Sequence, residues 1–149
     1  MNIHDTDFYT WTQEQSALLK QGRFMDADVE HLIEELESMG ISERRELINR
    51  LGVLLAHLLK WQYQPERRGN SWKATVKEQR QKVARILRQN PGLKPFTKES
   101  LEDAYSDAIQ IAVRETGLDE ITFPIVSPWR IGQVLDMDFW PNAAFDTSP

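Results

Sequence analysis

Apolar residues return along this chain with the spacing of helices, and glycine and proline cut the pattern into pieces. The first piece runs from about Asp7 to Gln21, with Phe8, Trp11, Leu18 and Leu19 as its stripe, Gln15 near the stripe's centre and Gly22 as its stop. A second begins near an Asp26 cap and sets Val29, Leu32, Ile33, Leu36 and Met39 on one face, with Gly40 suited to a C-terminal cap. A third runs from Ser42 to about Gln64. It is apolar around most of its circumference between Leu51 and Leu59, which places it in the middle of a bundle.

Beyond Pro65 to Gly69, a fourth helix from about Ser71 to Gln89 carries a narrow stripe of Trp72, Val76, Val83, Ile86 and Leu87. Asn90-Pro91-Gly92 makes the next turn. Thr97 caps a fifth helix bearing Leu101, Ala104, Tyr105, Ala108 and Ala112, and Gly117 stops it. Ser127-Pro128 reads as a cap with proline at the first helical position of a short sixth helix, and Phe139-Trp140-Pro141 as a tail packed back on the body. No strand-like alternation competes. The expectation is an all-α fold: an up-and-down bundle of about five main helices plus a short C-terminal capping helix, in one domain over residues 1–149.

Composition narrows the function classes. There is no cysteine, so disulfides, thiolate metal sites and cysteine nucleophiles are excluded, and a reducing cytoplasmic location is expected. Met1-Asn2-Ile3-His4-Asp5 shows neither a basic leader nor an apolar stretch, and the run from Leu51 to Leu59 falls far short of the roughly 20 residues a bilayer needs. A membrane role is not expected. The net charge of −5 conceals an asymmetry: residues 60–98 hold 11 basic and 2 acidic residues, while both ends of the chain are acidic.

Several motifs together resemble a family. Asp7-Phe8-Tyr9 with Trp11, Leu32-Ile33-Glu34-Glu35, Glu37-Ser38-Met39-Gly40 and Glu43-Arg44-Arg45-Glu46 are followed by His57-Leu58-Leu59-Lys60, Tyr63-Gln64-Pro65-Glu66, Ser71-Trp72 and Glu78-Gln79-Arg80. In order and spacing this set resembles a bacterial family catalogued as domain of unknown function 29, over about Asp5 to Trp140. Pro91-Gly92-Leu93 departs from it, since members often have serine after the proline. The resemblance implies an all-helical fold and supplies no activity, so no catalytic residue is carried over.

Phosphate-binding and catalytic motifs need close spacings that are missing. The closest two of the seven glycines, Gly40 and Gly52, are 12 positions apart, which rules out a P-loop and a dinucleotide fingerprint. Gly69-Asn70-Ser71 begins like a nucleophile elbow, but Lys73 stands where the closing glycine belongs, so Ser71 is read as a helix cap. His4, His31 and His57 lie on separate elements, and Asp28-x-x-His31 occurs once where a di-iron bundle needs such a motif twice. No metal and no cofactor is expected.

Two constellations remain. Glu30, Glu34 and Glu37 share a narrow arc of the second helix, with Asp28 and Glu35 at the other edge of its apolar face. They read as a solvated face or, with His57, as carboxylates for cation binding or acid–base work; the candidate catalytic set is His57, Glu34, Glu35 and Glu37. The basic fourth helix aligns Lys73, Lys77, Arg80 and Arg88 as candidate partner-binding residues, with Trp61, Tyr63 and Trp72 near its start. That surface suits the chain's own acidic helices, an acidic protein or, less well, single-stranded nucleic acid. The leading expectation is therefore a non-enzymatic helical interaction protein using charged helix faces, with a protein partner or self-association. A metal-dependent hydrolase using His57 and the second-helix carboxylates is the alternative, and a nucleic-acid binder the third.

Overall fold

A computed structural model describes residues 2–142. Six α-helices form in the order α1 (Ile3–Thr6), α2 (Phe8–Lys20), α3 (Val29–Tyr63), α4 (Asn70–Gln89), α5 (Thr97–Thr116) and α6 (Ile131–Leu135), linked in part by short 3₁₀ turns, and no strand occurs among the described residues. The chain divides into two compact units, one ending at Ser42 and the other beginning at Glu43.

The main departure from the sequence reading is at Gly40. The second and third expected helices are one, α3, because Gly40 stays helical: among the described residues only Gly22 and Gly117, at φ 71° and 73°, adopt the left-handed conformation that ends a helix. These two do stop α2 and α5. The cap of α3 is Asp28 rather than Asp26, which closes a 3₁₀ turn at Phe24–Asp26. Gly69 rather than Ser71 stands at the N-cap of α4, and Phe96 rather than Thr97 at that of α5. The last helix opens at Ile131 after Arg130, because the Ser127 hydroxyl is used in a local turn, accepting from Trp129 N and donating to Trp129 O.

In the second unit the core is built on the apolar length of α3, where Leu47, Leu51, Leu54, Leu55, Leu58 and Leu59 are completely buried. Small residues of α5, Ala104, Ala108 and Ala112, are buried with them, and a Cβ added at Gly52 would lie 3.6 Å from the Ala104 carbonyl. The α4 stripe of Val76, Val83 and Ile86 joins the same core, as do Phe123, Trp129 and Val134. Trp140 packs 4.4 Å from Trp61, centroid to centroid, so the tail does fold back. No helix is long and apolar enough to cross a membrane among the described residues.

Candidate functional site

The first unit is held by polar contacts as much as by packing. Asp7 caps α2, accepting from Thr10 N (3.1 Å) and Thr10 Oγ1 (2.7 Å), bonds that hold its carboxyl below the usual range. One turn on, Trp11 is buried and its indole donates to Asp28 Oδ2 (3.0 Å), while Gln15, also buried, accepts from the Asp28 amide (2.7 Å). A glutamine in an apolar stripe is thus explained by the amide it satisfies. The indole bond, foremost, holds the Asp28 carboxyl below its ordinary value.

Around Asp28 the structure gathers a cluster that spacing alone did not show. His31 Nδ1 lies 2.7 Å from Asp28 Oδ2. His4, brought in by α1, stacks on His31 with ring centroids 4.2 Å apart, and its two nitrogens face two carboxylates: Nε2 to Glu35 at 2.7 Å and Nδ1 to Asp5 at 2.9 Å. Those carboxylates, Glu35 foremost, raise the His4 pKa above its ordinary value. Among the described residues, His4, Asp5 and His31 have donor atoms close enough to share a metal ion. The signal in the sequence was Asp28-x-x-His31; the missing half, His4, lies 27 residues earlier, beyond any local motif.

The opposite side of the same stretch of α3 is bare. Val29, Ile33, Leu36 and Met39, expected to pack inside, are between 49% and 66% exposed, and Phe24 and Met25 in the preceding 3₁₀ turn are 63% and 98% exposed. Glu30, Glu34 and Glu37 are exposed along one border. Residues up to Ser42 contain nine acidic and two basic side chains, so this apolar face sits in a negative field.

The candidate catalytic set is split. Glu34 and Glu37 are exposed and Glu35 binds His4, all in the first unit. His57 stands in the second, half-buried, its Nδ1 lying 3.0 Å from the Val53 carbonyl one turn back. Burial pushes the His57 pKa down, and Lys60 adds to this while the Val53 bond and Glu115 oppose it.

The basic helix also divides. Lys73, Lys77 and Arg88 are exposed, and none of them forms an ion pair among the described residues. Arg80 is the correction: it is only 1% exposed, donating from Nε to the Val134 carbonyl (2.8 Å) and from Nη2 to that of Phe139 (2.7 Å), so it is an internal anchor rather than a partner-binding side chain. Its placement follows from the register, since Val76, Arg80 and Val83 share one face of α4 and the guanidinium finds peptide carbonyls there. The aromatic rings near the start of α4 are engaged by the protein's own cations: Arg68 lies 4.9 Å over Trp61, and Lys60 lies 4.9 Å over Trp72.

A cleft of about 780 Å³ lies elsewhere in the second unit, with Tyr105, Ile109, Phe123 and Ile125 among its lining residues. Its Tyr105 hydroxyl is committed to the Pro124 carbonyl at 2.6 Å, and burial raises this phenol to about 12, far from a proton-transfer group at neutral pH.

Among known proteins, the model of the family described as domain of unknown function DUF29 matches residues 3–140. No curated protein and no solved structure matches the chain. The chain belongs to the DUF29 family, for which no function is established.

Proposed function

We propose that this protein is a non-enzymatic helical interaction protein, working in a reducing cytoplasmic setting, and that its first unit receives a basic amphipathic helix of a partner protein. The reading is carried by one observation: the Val29, Ile33, Leu36 and Met39 face of α3 is between 49% and 66% exposed. A contiguous apolar surface of this kind marks an interaction site, and the spacing supplies the successive anchors used when one amphipathic helix lies along another. Charge selects the occupant. The Glu30, Glu34 and Glu37 border lies within a segment of nine acids and two bases, so a second copy offering the same face would set like charge against like. A partner helix with lysine or arginine beside its apolar stripe meets both requirements.

The test uses two synthetic helical peptides with leucine at the stripe positions, one with lysine and one with glutamate at the flanks. By fluorescence anisotropy the lysine peptide should bind, weaken as salt rises from about 0.05 to about 0.3 M, and lose at least about tenfold in affinity on Ile33→Asp/Leu36→Asp, roughly 1.4 kcal/mol. Equal binding by the double variant would overturn the reading. So would a wild-type dimer in sedimentation that the double variant abolishes, which would make a second copy the occupant.

A second reading keeps Lys73, Lys77 and Arg88 as a surface for an acidic protein, supported by their exposure without ion pairs among the described residues. Nucleic acid is less favoured there, because the Trp61 and Trp72 faces that bases would stack on already carry Arg68 and Lys60.

A further inference from the structure

The contacts of His4 pose a problem in proton counting. A neutral imidazole has one N–H, yet both ring nitrogens face carboxylate oxygens, at 2.7 Å to Glu35 and 2.9 Å to Asp5. Either a second ring proton or a metal cation must therefore lie between one nitrogen and its carboxylate. His31 is oriented differently. The Asn2 side-chain oxygen accepts from the Asp5 amide, which turns the Asn2 nitrogen toward His31 Nε2 at 3.4 Å. Nε2 is then the acceptor, and Nδ1–H donates to Asp28.

We propose that His4, Asp5 and His31 form a binding site for a divalent first-row transition-metal ion, of which zinc is the type case. The ligands are His4 Nδ1, a carboxylate oxygen of Asp5 and His31 Nε2, which would exchange its contact with Asn2 for the ion. Each ring then gives its remaining N–H to a carboxylate, Glu35 for His4 and Asp28 for His31, the outer support that ligating histidines ordinarily have. One donor atom from each of the three residues lies within 4.8 Å of the others. A tetrahedral ion with bonds of about 2.0–2.1 Å needs donors about 3.3 Å apart, so binding requires the stacked His4 and His31 rings to tilt toward a common point and the exposed Asp5 side chain to turn with them.

Charge supports the same assignment. Asp5, Asp28 and Glu35 surround two imidazoles, and no lysine or arginine pairs with them among the described residues. Two nitrogens and one oxygen suit zinc and its neighbours better than calcium or magnesium, which prefer all-oxygen sites. With three protein ligands a fourth position is left to water. The ion would also tie the single turn of α1 to α3, giving a four-residue helix a fixed place.

The site is independent of the docking face and is tested separately, on the full-length, untagged chain after chelator treatment. Calorimetric titration with zinc should give one ion per chain, and cobalt(II) should show the visible absorption of a low-coordinate N/O site. Asp5→Asn and His31→Gln should each weaken zinc binding at least about tenfold, Glu35→Gln about 10- to 100-fold as an outer-support change, and His57→Gln not at all. Circular dichroism of Asp5→Asn, whose side chain is 60% exposed, separates loss of binding from loss of folding. Absence of stoichiometric zinc in the wild type, or equal affinity in wild type and His4→Gln/His31→Gln, would overturn the proposal.

Discussion

The two ends of α3 obey different rules. From Leu51 to Leu59 the helix is apolar nearly all round and almost every such side chain is buried; from Val29 to Ile41 it has a well-formed stripe, and most of that stripe is exposed. An amphipathic period therefore states that a face will be covered, but not by what. An all-round apolar segment carries more information, since only the interior of its own fold can bury it. The first unit adds to its packing a set of directed contacts, Trp11 and Gln15 to Asp28 and His4 to Glu35.

The contrast breaks most easily with leucine truncations. Leu55→Ala, at a fully buried position, should cost about 2–5 kcal/mol by urea denaturation. Leu36→Ala, at a position 66% exposed, should stay within about 0.5 kcal/mol. Comparable losses at both would show that the stripe is covered within the monomer.

A smaller effect is expected at Arg80. Arg80→Ala leaves the Val134 and Phe139 carbonyls without their donor and should cost about 2–3 kcal/mol. Emission from tryptophan should shift to the red as Trp140, whose ring lies 5.5 Å from the guanidinium, loses its cover. Lys77→Ala and Arg88→Ala, both exposed, should do neither. Equal effects at all three would dissolve the distinction between anchor and surface cation.

The smallest effect sharpens the picture at His57. Burial holds its pKa below the ordinary value, so the fold prefers the neutral ring. Above about pH 6.5 both folded and unfolded chains are neutral there and the full contribution is present; as pH falls further the unfolded chain takes up the proton first, and stability is lost until the folded pKa is passed. The gap between wild type and His57→Gln in unfolding free energy, measured by urea denaturation, should therefore narrow between pH 7.5 and 5.5, by no more than about 1.4 kcal/mol per pH unit. A widening gap would mean a charged His57 in the fold.

Much of the helical fold was legible because Leu51 to Leu59, the α4 stripe and the stops at Gly22 and Gly117 are local signals. Gly40 was misread for a physical reason: a glycine can end a helix or lie inside one at a cost of about 1 kcal/mol, and the surrounding helix decides. Arg80 could not be read as buried, because its carbonyl partners lie 54 and 59 residues downstream and peptide carbonyls carry no sequence signature. The His4–His31 pairing was hidden likewise, since a four-residue helix is too short to show periodicity.

Arg80 also bears on how the chain is made. Translation delivers this guanidinium well before its acceptors at Val134 and Phe139, so a nascent chain ending near Gly117 has α3, α4 and α5 but a cation with nothing to receive its donors. Burying it then would strand a charge, and exposing it keeps that side of α4 hydrated. Completion of the second unit therefore requires the segment that carries Val134 and Phe139, and a chain ending before it leaves Arg80 without these two acceptors.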